Sequence, residues 1–337
     1  MPTLCLTTPG TRVNLVSERL RIEVPPSEES SEPPATRDLP LTDIERVVVS
    51  DRCALSMPAL GELLRREIPV VILSGGERIL GLCLPPAPHS AIRLAQYRAA
   101  NDSPFTLAVA TALVEAKILN SRRVLQRLAS NRPNASVESC LRSLSALASE
   151  CLRAESLDVL RGYEGTAAGR YFEAYGEFFP STAPFERRSR RPPHNAANAI
   201  LSYTYTILAA ETEAELHAAG LDPALGFLHE TTDRRSSLAL DLIEPFRAPV
   251  ADAMTLDLLS HATLHPEKHF QPRDNGIYLN TDGKKRFFVA YERRMDREFT
   301  NEYNGRRSSL RREIQAQILS LKKSLLEREP LAPFLMN

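Results

Sequence analysis

The stretch GFLHETTDRRSSLALDLIEPFR, Gly226 to Arg247, sets one histidine, a basic run and two acids, Asp241 and Glu244, beside a block of leucines. Ionised acids rarely occupy an apolar segment without partners, because an unpaired buried charge is very costly. Asp241 and Glu244 are three residues apart and share a face if the segment is helical. Leu238, Leu240, Leu242 and Ile243 would anchor such a helix in a core. Pro245 has no N–H to give to residue 241, which predicts a kink or an end there. Two readings stay open from these residues alone. In one, a divalent cation neutralises the acids together with His229; imidazole and carboxylates suit manganese or magnesium when water or phosphate oxygens complete the shell. In the other, the acids pair with Arg234, Arg235 or Arg247, and His229 is a satisfied core histidine.

Upstream, RGYEGTAAGRYFEAYGEFF, Arg161 to Phe179, carries an acid among small residues. The glycines predict turns around Glu164 and a helix starting there, with Ala168, Tyr171 and Tyr175 on one face. Gly165, Ala167, Ala168 and Gly169 permit close approach of a ligand or a second backbone. An acid at a helix N-terminus is also an ordinary favourable charge. Between the two acidic segments lies FERRSRRPPHNAANAILSYTYTIL, Phe185 to Leu208, with Arg187, Arg188, Arg190 and Arg191 in a loop stiffened by Pro192 and Pro193. Guanidinium forks suit phosphate oxygens; the alternative is a solvated charged loop. Asn195 or Asn198 is expected to cap the helix that follows. His261, His265 and His269 recur every four residues, but Pro266 breaks the helix that a shared metal would require.

The two ends of the chain differ in pattern. TLCLT and TRVNLV flank Pro9-Gly10, LRIEV follows, and all three read as strands. Pro25 to Asp38, PPSEESSEPPATRD, is polar and proline-rich and is expected to be a solvated loop or disordered. ERVVVS reads as a strand, SMPALGELLRREI as a helix capped by Ser56, and VVILS with RILGLCL as a hairpin closed at Gly75-Gly76. At Pro85–His89 turn residues become scarce and helical periodicity takes over. The expected organisation is α+β: a β-rich domain over residues 1–87, then a mostly α-helical domain over 88–337. In the second, Ser103-Pro104 is expected to open a long helix, and Gly220 to close ILSYTYTILAAETEAELHAAG.

The totals exclude several classes. Forty-two basic and 42 acidic residues among 337 cancel, so no overall polybasic character announces a nucleic-acid partner, although a local basic surface remains compatible with one. Cys5, Cys53, Cys83, Cys140 and Cys151 are odd in number and form no CxxC pair, which argues against a disulfide framework or zinc cluster and for a reducing cytoplasm. The N-terminal MPTLCLTTPGTRVNL has no basic start followed by a long apolar run, so no signal peptide is expected. No stretch approaches the ~18 apolar residues of a membrane span.

Taken in order, GYEGTAAGRYF, RRPPHNAANAILSY, and GFLH followed by SLALDLIEPFR resemble the universal integrase and endonuclease family of CRISPR adaptation, the large subunit that inserts new spacers into repeat arrays. PTLCLTTPGTRVNL, PVVILSGGERILG, EAKILNSR and NGIYLNTDGKKRFFVAYERR are also similar to it. The resemblance implies a β-rich dimerisation domain, a helical catalytic domain, and a Mg2+ or Mn2+ ion held by Glu164, His229 and Glu244, with Asp241 beside or supporting that site. It implies attack of a DNA 3′-hydroxyl on a phosphodiester at the repeat boundary. The partners it implies are prespacer and repeat DNA, a second copy of the chain, and a small companion subunit. Arg187, Arg188, Arg190 and Arg191 would then hold the DNA backbone. Lys117, Arg122, Arg123, Lys284 and Lys285 read as ordinary surface charges, or as weaker DNA contacts. The family commonly has Asp-Pro after the double proline, where this chain has Asn195-Ala196, and the Pro25–Asp38 insert is longer than the family's usual turn. Two other functions fit the same residues: a general metal-dependent nuclease acting on branched or single-stranded DNA, and a non-catalytic DNA-binding subunit.

Overall fold

A computed structural model describes residues 3–26, 34–74, 78–85, 89–132, 135–303 and 305–337. The chain divides into two compact units, Met1–Pro88 and His89–Asn337. The first holds two four-stranded sheets. One is built from β1 (Thr3–Leu6), β5 (Arg46–Ser50), β7 (Val70–Ser74) and β8 (Arg78–Cys83) in that spatial order. Its first three strands are parallel, and β8 returns antiparallel to β7 as the expected hairpin; the Gly75-Gly76 turn itself lies outside the described residues. The other runs in the order β4 (Ala35–Pro40), β3 (Arg19–Val24), β2 (Arg12–Val16) and β6 (Ala54–Leu55). The helix α1 (Met57–Arg65) joins them.

One cluster of buried side chains draws on both sheets and the helix, including Leu6, Val47, Val49 and Val70 from one sheet, Val13, Leu20 and Ile22 from the other, and Leu63 from α1. All five residues of β5 are buried, as the Val-rich run of a parallel strand requires. The strands on either side of Pro9-Gly10 do not pair with each other: β1 pairs with β5, and β2 with β3. Gly10, at φ +80°, turns the chain from one sheet into the other. The expected polar loop does not extend to Asp38. Its last residues, from Ala35, form the exposed edge strand β4 against β3, where Arg21 and Asp38 pair across the strands at 2.9 Å. An edge strand tolerates a polar sequence because neither face needs full burial. Residues 27–33 lie outside the described residues.

The second unit is helical, with α2 (Ser90–Ala100), α3 (Ser103–Asn131), α4 (Ala135–Cys151), α5 (Leu157–Gly176), α6 (Ala196–Ala218), α7 (Ser237–Leu242), α8 (Ala253–Ser260), α9 (Pro266–His269), α10 (Thr281–Asp296) and α11 (Leu310–Glu327). Two short antiparallel ribbons interrupt it: β9 (Phe270–Arg273) with β10 (Gly276–Leu279), and β11 (Phe299–Thr300) with β12 (Arg307–Ser308). Caps follow local chemistry. Asp102, rather than Ser103, accepts the Phe105 N–H at the head of α3, Asn195 accepts the Asn198 N–H at the head of α6, and Gly220 takes φ +81° beyond its end.

Glu164 departs from expectation. It lies about two turns inside α5, whose cap is Ser156, accepting the Val159 N–H. The intervening glycines did not break the helix. Each costs about 1 kcal/mol against alanine, and buried Leu160, Ala167, Tyr171 and Tyr175 on the same helix offset that.

After α7 the chain does what Pro245 dictates. Glu244–Phe246 tighten into a 3-10 turn, Arg247–Asp252 widen into a π turn, and α8 resumes. The turn is held from behind. Asn120 of α3 donates to the carbonyls of Pro245 and Phe334 at 2.7 and 2.9 Å, and the Phe334 ring stacks on Phe246 with centroids 4.9 Å apart. Gln317 of α11 donates to the Leu242 carbonyl at 2.7 Å. Buried Arg311 of α11 binds Glu211 of α6 at 2.6 Å and Glu292 of α10 at 3.1 Å, and also pairs with Asp296, tying the three helices together. Among the described residues no helix is long and apolar enough to cross a membrane.

Candidate active site

Asp241 is fully buried, and its charge is met by hydrogen-bond donors. Its Oδ2 accepts the backbone N–H groups of Phe227 at 2.6 Å and Leu228 at 2.9 Å, and its Oδ1 accepts that of His229 at 3.0 Å. Oδ1 also lies 2.6 Å from His229 Nδ1. An ionised carboxylate can only accept, so Nδ1 carries the proton and the Nε2 lone pair is left facing away. Gly226 makes this approach possible: a Cβ there would stand 2.9 Å from Asp241 Oδ2 and 2.9 Å from the Ser237 Cβ. The opening Gly-Phe-Leu-His therefore wraps around the acid that follows it.

His229 Nε2 faces Glu244 Oε1 at 3.9 Å. Glu244 is only 4% exposed and is gripped by two cations. Arg247 Nε lies 2.9 Å from its Oε1, and Lys117 Nζ lies 2.6 Å from its Oε2. Burial alone would raise the Glu244 pKa, but the neighbouring charges of Arg247 and Lys117 outweigh it and hold the carboxyl at about 2. Lys117 also pairs with Oε1 of Glu164. Burial works against its ammonium, and Glu244 and Glu164 together keep its pKa raised. The two glutamates, carried by α5 and by the turn after α7, thus meet across a lysine from α3.

These side chains line one cavity of about 170 Å³. On its other wall the guanidinium carbons of Arg247 and Arg188 lie 4.5 and 5.4 Å from the Tyr205 ring centroid. Tyr205 donates to Asp252 Oδ1 at 2.7 Å and Tyr175 to the Asp252 carbonyl at 2.8 Å. Burial pushes the Asp252 carboxyl up to about 6, against the pull of Tyr205 and of the Arg188 and Arg247 charges.

The four arginines of the loop separate. Arg188 turns inward and donates to Asn198 Oδ1 at 2.8 Å and Ser202 Oγ at 3.0 Å. Arg187, Arg190 and Arg191 are less buried, and Arg190 reaches the cavity rim.

The three sequence-predicted ligands reach one cavity, but with an ammonium between the glutamates. Among the described residues no three histidine, cysteine, aspartate or glutamate side chains are gathered as a ready metal cage. The donor set nevertheless fits a hard divalent ion: two carboxylates from remote elements, an oriented imidazole with its Nε2 lone pair outward, and open cavity volume. Glu244 Oε2 is buried and receives no aligned hydrogen bond, so its close contact with Lys117 is an ion pair.

Lys117, which the sequence reads as a surface charge or a weaker DNA contact, lies inside the candidate site. A signal was present: Lys117 lies four residues after Leu113 and three after Val114, both fully buried, on the inward face of α3. Arg247, one of the partners that the sequence allows for the acids, does pair with Glu244.

A family model described as CRISPR associated protein Cas1 matches residues 4–293. The CRISPR-associated endonuclease Cas1 3 of Thermus thermophilus is 34% identical over 292 residues, covering 86% of this chain and 85% of its own. A CRISPR-associated exonuclease Cas4/endonuclease Cas1 fusion from Rhodospirillum rubrum is 40% identical over 319 residues; the match takes in 92% of this chain but 53% of the fusion, so the chain spans about half the length of that relative. Among solved structures, a casposase bound to integration product superposes with a TM-score of 0.85 at 25% identity, covering 99% of this chain and 93% of the casposase.

Proposed function

Because the chain belongs to the CRISPR-associated Cas1 family, we propose that it is a metal-dependent DNA endonuclease and integrase that joins a DNA 3′-hydroxyl to a phosphodiester of the CRISPR repeat. The observation that carries this reading is the meeting of Glu164, His229 and Glu244 at one cavity, with Asp241 turning the imidazole toward it. The names of the relatives support it: one is called an endonuclease, and the superposed casposase holds an integration product.

Glu164, His229 through Nε2, and Glu244 would hold the ion, which is Mg2+ or Mn2+ by the preference of carboxylate and imidazole ligands. When bound, such an ion supplies Lewis acidity to the phosphoryl oxygens and lowers the pKa of the attacking hydroxyl. In the reaction, the 3′-hydroxyl of the incoming strand gives up its proton as its oxygen bonds to phosphorus, the P–O3′ bond of the repeat breaks, and the departing oxygen takes up a proton to become a new 3′-hydroxyl, so that no proton is gained or lost overall. No net hydrolysis occurs and the number of phosphodiesters is unchanged. Asp241 keeps His229 in one tautomer and one orientation. Arg247 and Arg190 bring positive charge to the cavity where a phosphate must enter. Arg187, Arg190 and Arg191, on the outer side of the loop, are assigned to backbone phosphates.

The homodimer built through the β-rich N-terminal domain, the small companion subunit and a cytoplasmic location belong to the same proposal. The first two are tested by the solution mass of the purified chain, alone and with the companion.

The deciding experiment incubates the protein with a 3′-hydroxyl-ended duplex and a repeat-containing plasmid, with and without Mn2+. Joined product only with Mn2+ supports the integrase. Cutting without joining identifies a nuclease, and DNA binding without either reaction identifies a structural subunit.

A further inference from the structure

We infer that Lys117 is a built-in counter-cation of the site, one that holds the two carboxylates together in the metal-free protein and that an incoming metal ion must displace. The inference rests on the metal-site reading above. Glu164 arrives on α5 and Glu244 on the turn after α7, and Lys117 from the buried face of α3 is bonded to both. Two carboxylates facing one partly dry cavity repel, and a single cation between them removes that repulsion. The ammonium does this with Nζ 2.6 Å from Glu244 Oε2, and it contacts Oε1 of Glu164 as well. A divalent ion held by the same two side chains needs those same oxygen lone pairs. The ammonium and the ion therefore compete for the site.

Arg247 sharpens the competition. It already pairs with Glu244 through Oε1 at 2.9 Å, so Lys117 and Arg247 together balance the two carboxylates, and a divalent ion added beside both would leave the site with excess positive charge. Two consequences follow. Without metal, Lys117 keeps the acids in register across three elements. With metal, its expulsion subtracts from the affinity, so only an ion of higher charge density than an ammonium replaces it.

The test is a Mn2+ titration of the purified full chain without DNA at pH 8, read as the thermal unfolding midpoint. Lys117→Met keeps the stem and deletes the charge. Metal-free K117M is expected to melt below the wild type, and Mn2+ is expected to stabilise it with a half-maximal concentration several-fold lower than for the wild type. A purely structural lysine would lower the melting point without tightening the metal response. Equal Mn2+ midpoints in the two proteins overturn the inference and leave the metal site standing. No Mn2+ response in either protein overturns both.

If K117M does not fold, the wild type answers alone. Amine acylation read by mass spectrometry should rise several-fold at Lys117 when Mn2+ is bound, because the displaced ammonium leaves its ion pairs. Unchanged Lys117 labelling under Mn2+ that still raises the melting point overturns the inference.

Discussion

Oδ1 of Asp241 stands 2.6 Å from Nδ1 of His229, while the same carboxylate collects the backbone N–H groups of Phe227, Leu228 and His229. The acid that the leucine-rich segment brings inside therefore has four donors, and its role is to set the imidazole. The neighbouring acid, Glu244, has cations instead and faces the cavity. Three residues of separation divide a carboxylate that holds His229 from one that faces the cavity and is proposed as a ligand.

Asp241→Asn keeps the shape and removes an acceptor. The amide NH2 would then confront backbone N–H groups that it cannot accept from. The expected loss is about 2–4 kcal/mol of stability together with most of the strand-transfer activity, read by denaturant unfolding and by the joining assay. Asn at this position with unchanged unfolding and unchanged joining would show that the carboxylate does not set His229.

Gly226→Ala tests the same arrangement from the other side. The added Cβ meets Asp241 Oδ2 and the Ser237 Cβ, each at 2.9 Å, so either the loop or the carboxylate must move. The expected cost is about 1–3 kcal/mol, and joining should fall more than DNA binding does. Wild-type joining by this variant would mean that the loop yields without moving His229.

Asp252 gives a pH signature separate from the proposed ligands. The groups around it are Tyr205, Tyr175 and Tyr171, whose hydroxyl stands near without an aligned hydrogen bond, together with Arg188 and Arg247. Its carboxyl titrates at about 6 in the folded chain against 3.8 for the free side chain. The folded state thus holds the proton more tightly, and the associated stability is fully present below about pH 4 and is lost as pH rises through 6. Asp252→Asn cannot titrate. Its unfolding free energy relative to wild type should climb by about 2 kcal/mol between pH 4 and 7. A difference that stays constant over that range would place the ionised carboxylate in a well-solvated setting.

The arginine loop should divide in its behaviour as it does in its packing. Glutamate at Arg187, Arg190 and Arg191 together should weaken DNA binding at moderate salt with little effect on folding. It should also flatten the salt dependence by about 0.9 in the log–log slope for each phosphate no longer neutralised. Arg188→Glu should instead destabilise the protein, since it breaks the bonds to Asn198 and Ser202. Equal salt slopes for the triple variant and the wild type would remove the loop from the DNA interface.

What could be read in advance was local chemistry. Asp241, Glu244 and Pro245 announced a buried acidic turn that breaks its helix, and the structure contains one. The β7–β8 hairpin, the Asn195 cap and the Gly220 stop likewise follow from neighbouring residues. Long-range partners were less legible. Lys117 differs from a surface lysine only through its buried i−3 and i−4 neighbours, and its partners come from α5 and from the turn after α7. Arg188 looks like its neighbours in the run and is set apart only by the face of α6 that it meets. The glycines around Glu164 suggested turns because glycine propensity is a local measure, whereas the core contacts that keep α5 continuous are not. In the N-terminal unit, Pro9-Gly10 marks a turn correctly but does not reveal that the chain crosses between sheets there.

The most direct test is the Mn2+-dependent joining of a 3′-hydroxyl-ended duplex to a repeat-bearing plasmid by folded His229→Ala protein, measured beside the wild type. Wild-type protein should yield joined DNA and the variant none, with its melting curve showing that it is folded. Joining by the variant at the wild-type rate would contradict the assignment of His229, Glu164 and Glu244 to one catalytic centre.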